Sequence, residues 1–305
     1  MSATGVTPNQ VITVPPALEH KKRRRIKWGT IARHAVLIML CLWVLLPLAW
    51  VILLSFKSKF DGARRYIWPE SFIDPLFANY EFILSQPRAV GPVGASATNS
   101  VTVTLLTVFF GTIAAVLGGY ALVHLRTPFK AVITSLLVAS LFFPTQVTAL
   151  TGIFRIQQEL GFINKTWTLM FPYVALQIAV CVFIMRGVFQ TVPGELVDSA
   201  RVDGASSLRT LVGIIFPLVK NGIVVVIIVL FVFAWGEYLL ALTLMNDADQ
   251  RTLAVFIANS SGGVGALDWP RTAALYILAI IPALITFAVA QRWYMKGLQE
   301  GALKG

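Results

Sequence analysis

The chain has 305 residues, 57% of them hydrophobic and 13% charged, with a formal net charge of +11. About a quarter of a soluble domain is charged, so this composition points to lipid as the solvent and excludes an ordinary soluble enzyme. The two cysteines, Cys41 and Cys181, lie in apolar runs, which excludes a disulfide framework or a cysteine-rich metal site.

In chain order, residues 1–33 read as a disordered basic cytoplasmic tail. Its 21–25 cluster suits anionic lipid headgroups rather than nucleic acid. Long apolar runs follow at 35–56, 89–123, 131–154, 166–185, 211–245 and 272–291, the fifth interrupted only by Lys220 and Glu237. Roughly 20 apolar residues span a bilayer as a helix, so the expected fold is an all-α membrane protein with six transmembrane helices. Residues 34–56 form the first helix and 57–98 an external loop. Residues 99–292 form a five-helix core with a cytoplasmic loop at 190–217, and 293–305 a cytoplasmic tail. With both termini inside, sixteen of the 25 Lys and Arg residues fall on the inner side and nine outside. That is the bias expected for this orientation.

Pro47 is expected to kink the first span. In the second, Gly111, Ala115 and Gly119 form a ridge of small residues for close helix packing. The connection 124–130 is so short that spans two and three are expected to be antiparallel neighbours. Pro144 and Gln146 in the third run, and Pro172, Tyr173 and Gln177 in the fourth, mark breaks or kinks of the kind transporters place along a substrate path.

The segment 191–216 has unusual order for a loop. Pro193 suits a first helical turn, and Glu195 and Asp198 put negative charge near the positive helix end. Leu196 and Ala200 share a face, Gly204 supplies a left-handed stop, and Ser206 caps a second helix running into Pro217 and the fifth span. Two rigid helices around a sharp turn transmit force, where a slack loop would absorb it.

Asp198-Ser199-Ala200, three residues, Gly204, nine residues, then Ile214-Ile215-Phe216-Pro217 keep the spacing of the EAA signature of ABC importer permeases. Asp, Ser and Phe stand where that signature has Glu, Ala and Leu. Further pieces resemble the carbohydrate-uptake branch of that family: Asn79-Tyr80, Asn99-Ser100, Tyr120-Ala121 with Arg126 and Phe129, Pro144, Leu160-Gly161, Thr252-Leu253, Gln291-Arg292 and Gly297-Leu298. The resemblance implies the type I importer permease fold in a bacterial cytoplasmic (inner) membrane. The implied partners are a homologous second permease, two ATPase subunits and an external solute-binding protein. Glu195, Leu196, Asp198, Ser199, Ala200, Arg201, Asp203, Gly204, Ala205 and Pro217 are the implied ATPase-coupling residues, with residues 297–305 a second contact. The solute is a sugar or sugar-like molecule, with glycerol phosphate or a polyol as the alternative.

No G-x-x-x-x-G-K-[ST] phosphate loop occurs, so the chain itself binds no cofactor, and ATP and magnesium belong to the partner ATPases. The nearest look-alike, Gly262-Gly263-Val264-Gly265, reads as an outer loop that either connects spans or, by resemblance, probes the binding protein. No metal or catalytic residue is expected, since His20, His34 and His124 are scattered. An ion-coupled transporter would need an intramembrane acid–base relay, and only Lys220 and Glu237 interrupt a span. Glu237, costly within a membrane at about 2.5–3.5 kcal/mol, must face a cavity or hydrogen-bond a neighbouring helix. Trp235, Glu237, Tyr238, Gln146, Tyr173 and Gln177 are the substrate-path candidates, because sugars take aromatic faces and hydrogen-bonding groups.

Overall fold

A computed structural model describes residues 28–58, 76–85, 91–142, 148–260 and 268–302. The chain divides into two compact units, Met1–Pro47 and Leu48–Gly305. Helix α1, Trp28–Ser55, contains Pro47. From residue 35 on, its stretch in the first unit is apolar all round and exposed, Met39, Trp43 and Leu46 included. A helix with no polar face belongs in lipid.

In the second unit, α2 (Ala78–Ser85) leads to α3 (Val93–His124), α4 (Lys130–Phe142) and α5 (Leu150–Glu159). A 3₁₀ turn, Thr166–Leu169, opens α6 (Met170–Phe189), and α7 (Gly194–Val202) follows. Helix α8 (Ser207–Thr210) passes through a π turn, Leu211–Ile215, into α9 (Phe216–Gly236). The short α10 (Leu239–Leu244), α11 (Leu253–Ser260) and α12 (Trp269–Ala302) complete the described helices. Among the described residues, five helical segments are long and apolar enough to cross a membrane: Ile31–Ser55, Val93–His124, Thr166–Phe189, Ser207–Gly236 and Trp269–Gln291.

The remaining expected span, 131–154, contains the apolar α4 of 13 residues and the start of α5. Residues 143–147, with Pro144 and Gln146, lie outside the described residues, as do 1–20 and Gly262–Gly263–Val264–Gly265. The short link after α3 does not lay α4 along it. Leu125 is extended and Phe129 has φ 52°, which turns the chain aside, and α4 packs chiefly on α6. Pro172 breaks no span either. It stands in the first turn of α6, where its missing N–H is one the helix cannot use.

The core is the triad α3, α6 and α9, with α12 against α9. Lipid provides no hydrophobic drive between helices, so backbones must approach closely for dispersion contacts to hold them. The small residues allow this. A Cβ at Gly111 would lie 2.8 Å from Leu230 on α9, and one at Gly119 would lie 2.7 Å from Met185 Cβ and 3.1 Å from the Arg186 backbone nitrogen on α6. Gly222 on α9 is tighter, since its Cβ would meet Val188 at 2.5 Å. The expected ridge on α3 therefore serves two neighbours at once, Gly111 facing α9 and Gly119 facing α6.

The tyrosine and asparagine of α2 close the end of α1. Asn79 Nδ2 donates to the carbonyls of Ser55 (2.8 Å) and Lys57 (3.0 Å), and the Tyr80 and Ser55 hydroxyls share a 2.7 Å hydrogen bond.

Gly119→Leu must displace backbone as well as side chain, an overpacking cost of about 1–3 kcal/mol or more. Its thermal midpoint in detergent should fall markedly by fluorescence-detected size exclusion. Gly152→Ala, with open space around its Cβ, should leave the midpoint unchanged or raise it, because helical glycine costs about 0.5–1 kcal/mol.

Candidate functional site: the helix–turn–helix knob and the broken fifth span

Residues 194–217 form two helices about a sharp turn. Pro193, with ψ 128°, is the residue preceding α7 rather than part of its first turn, and Glu195 lies in that turn. The helix stops at Gly204, whose φ of +77° suits glycine and strains other residues. The Gly204 N–H donates to Arg201 O (3.0 Å) and the Ala205 N–H to Ala200 O (2.9 Å). This paired closure satisfies carbonyls that the helix end leaves open. Ser206 then caps α8, its Oγ accepting from the Arg209 N–H at 3.3 Å.

The second helix runs through Pro217 into the fifth span, as expected. It continues as one rod from Ser207 to Gly236. Proline cannot donate to a carbonyl four residues back and its ring crowds that carbonyl. Immediately before it the helix widens, and the Phe216 N–H reaches Leu211 O, five residues back. The rod thus links the turn at Gly204 directly to the bundle.

Three attachments seat the knob. Val197 and Ala200 are the buried face of α7, whereas Leu196, expected beside Ala200, is 39% exposed. The reason is angular, since Val197 and Ala200 are three apart and share the stripe that meets the core, with Leu196 at its edge. Val197 joins a cluster with Tyr120, Met185, Phe189, Leu211 and Ile215, drawn from α3, α6 and the α8–α9 rod. Arg201 Nη2 donates to His124 O at 2.6 Å, at the last turn of α3, and its Nη1 pairs with Asp198 at 3.2 Å. Glu195, Asp198, Ser199, Asp203 and Gly204 face outward, with Ala205 half-buried and Pro217 exposed. Val202 (87% exposed) and Leu208 (63% exposed) flank the turn, apolar side chains that the sequence reading did not single out.

The opposite end of the bundle departs from one continuous 211–245 span. Helix α9 stops at Gly236, Glu237 is extended (φ −69°, ψ 127°), and α10 starts two residues later. Glu237 is 7% exposed and holds the break closed. Oε1 accepts from Leu240 N–H (2.8 Å), and Oε2 accepts from Ala241 N–H (3.1 Å) and from the Tyr173 hydroxyl (2.6 Å). Two of the substrate-path candidates are therefore bonded to each other. Trp235 and Tyr238 line an apolar groove of about 380 Å³ with Leu253, Ile257, Tyr276 and Ala283, and Trp235 Nε1 donates to Ala279 O at 3.1 Å. Gln177 is half-buried one turn beyond Tyr173 on α6. Tyr276 escaped sequence reading because one aromatic residue in an apolar run carries no distinguishing pattern.

The segment after α10 is clamped from two sides. Asn99 Nδ2 donates to Asp249 O (2.7 Å) and Arg251 O (3.1 Å), and Ser100 Oγ accepts from Leu253 N–H (2.7 Å). Asn164 Oδ1 accepts from the amides of Asn246 and Asp247, and the Thr166 hydroxyl donates to Gln250 O. Among the described residues, no cluster of three His, Cys, Asp or Glu side chains suits a metal ion.

A family model described as the binding-protein-dependent transport system inner membrane component matches residues 107–299. The sulfoquinovosyl glycerol transport system permease protein of Agrobacterium fabrum is 32% identical over 86% of this chain and 89% of its own length. The trehalose/maltose transport system permease protein of Thermococcus litoralis is 30% identical, over 88% and 94%. An sn-glycerol-3-phosphate transport system permease protein of Agrobacterium fabrum is also 30% identical, over 88% and 95%. In structure, the chain resembles one from a bacterial ABC transporter involved in the import of alginate. The TM-score is 0.75 at 20% sequence identity, covering 88% of this chain and 96% of that one.

The cap and the Arg201 attachment set the rigidity of the knob. Ser206→Ala should cost about 1 kcal/mol of local stability, and Arg201→Ala should release α7 from α3. Faster amide hydrogen exchange over residues 194–210, with the rest of the bundle unchanged, is the expected measurement for both.

Proposed function

The chain belongs to the family of binding-protein-dependent transport system inner membrane components, and on that premise we propose that it carries a sugar or sugar-like solute inward, driven by ATP hydrolysed on partner subunits. It is a multi-pass inner-membrane protein with the fold of an ABC importer permease. In this reading it pairs with a homologous second permease above two ATPase subunits, and an external binding protein delivers the solute. ATP and magnesium are held by the ATPases, and both termini lie in the cytoplasm. Permease relatives named for sulfoquinovosyl glycerol, trehalose and maltose support the sugar class. The sn-glycerol-3-phosphate relatives keep that solute beside it.

The observation that carries the reading is the knob itself. It is seated on the bundle by Val197, Ala200 and the Arg201–His124 bond, yet it displays Leu196, Val202 and Leu208 to the outside. Exposed apolar side chains on a rigid projection fit a protein groove. The ATPase would grip residues 195–217 through them and through Glu195, Asp198, Ser199, Asp203 and Ala205. A push at Gly204 then passes along the α8–α9 rod, and through Arg201 into α3. Closure of the ATPase pair would rock both helices together.

Affinity purification of the chain from its native membrane should yield an ATPase and a second permease. Vesicles containing that complex, supplied with the binding protein and ATP, should accumulate a labelled sugar from a panel including trehalose, raffinose and sn-glycerol 3-phosphate. Uptake that follows an ion gradient and ignores ATP would sink the proposal. Gly204→Pro removes both the positive φ and the N–H bonded to Arg201 O. Solute-stimulated ATP hydrolysis should then fall to the basal rate, while a wild-type response would contradict the coupling role.

A further inference from the structure

Glu237 is a carboxylate inside the bundle whose position explains a geometric oddity, since an apolar run long enough for one helix is broken into α9 and α10. A break within a membrane-spanning stretch leaves backbone N–H groups without helical partners, which must then be satisfied by the protein itself. The Glu237 side chain takes two of them, Leu240 N–H and Ala241 N–H. Its third bond, from the Tyr173 hydroxyl at 2.6 Å, comes from α6. Tyr173 is fully buried, its ring packed edge-on against Phe233 of α9 with centroids 5.6 Å apart. The break is thereby fastened to the central triad from the side.

Each oxygen of the carboxylate is occupied, and the residue is buried. The side chains that face the groove are its neighbours, Trp235 before the break and Tyr238 within it. Trp235 is held by Ala279 O and by a stacked Phe231 (centroids 5.8 Å apart), while Tyr238 stands 39% exposed. The direction in which Tyr238 leaves the chain depends on the extended backbone at Glu237.

We propose that Glu237 is a positioning residue: with Tyr173 it pins the α9–α10 break to α6, and so sets the Trp235–Tyr238 wall of the groove without meeting the solute itself. This rests on the importer reading for its consequence, that the wall's placement governs how fast solute passes. A sugar-like solute would meet aromatic faces there, not the carboxylate.

The test uses the whole complex in vesicles with labelled trehalose, raffinose or sn-glycerol 3-phosphate, whichever the wild type imports. The variants are Glu237→Gln, Tyr173→Phe and the two combined. Gln keeps the size but presents an NH₂ group to an amide N–H, so one bond is lost, while Phe removes a single hydroxyl. Each single variant should lower the maximal uptake rate about fivefold or more with KM within about twofold of wild type. The thermal midpoint of the purified complex should fall in both. Because the two side chains share one network, the double variant should be no worse than the worse single one.

A KM raised about tenfold in Glu237→Gln with Tyr173→Phe silent would mean direct solute contact, and would overturn the proposal. Wild-type behaviour of all three variants would overturn it equally. Should the Gln variant fail to assemble, Tyr173→Phe decides by its rate and KM. If the wild-type complex imports none of the three, the choice of solute fails, separately from this proposal. The midpoints then judge the knot, and fully additive shifts count against it.

Discussion

A peptide N–H or C=O in the hydrocarbon has no water to bond, and leaving one unpaired costs several kcal/mol. At three described points of this chain where a helix stops or breaks, a side chain answers for the freed backbone. Asn79 takes carbonyls at the end of α1, Thr127 Oγ1 and Arg201 serve the end of α3, and Glu237 serves the break after α9. Each of these points is also tied to a second element, through Asn79 of α2, Arg201 of α7 and Tyr173 of α6.

This coupling of satisfaction to attachment explains how the knob is joined to the bundle. The Gly204 turn is closed by its own backbone and by the Ser206 cap. Its two exits are a continuous helix into α9 and the Arg201 link to α3. Gly111 between α3 and α9, and Gly119 and Gly222 against α6, have no room for a Cβ, so the three helices pack closely. Well-packed elements move as bodies rather than deforming continuously, which is the property an alternating-access device requires. The far end is braced by the same logic, with Asn99, Ser100, Asn164 and Thr166 holding the segment after α10 against the ends of α3 and α6.

Much of this was legible in one dimension, for identifiable reasons. Apolar run length reports the span because lipid demands it. The knob was readable because positive φ at Gly204, a hydroxyl cap at Ser206 and the intervening spacing are local requirements written in adjacent residues. The small ridge of α3 was readable because helical periodicity places Gly111, Ala115 and Gly119 on one side.

Other features needed the neighbour. Sequence alone determined a many-spanning membrane protein with a helix–turn–helix between its fourth and fifth long apolar stretches, because hydropathy and turn chemistry are properties of short segments; the importer permease type came from resemblance to the EAA spacing. The tertiary structure decided which face of α7 is buried (Val197 rather than Leu196), that α4 rests on α6, and that the fifth run breaks at Glu237. It also decided that Glu237 is bonded to Tyr173, 64 residues earlier. A carboxylate in an apolar run signals only that some partner exists. Which partner it is depends on helix rotation and proximity, and those are set by packing between segments that no single segment contains.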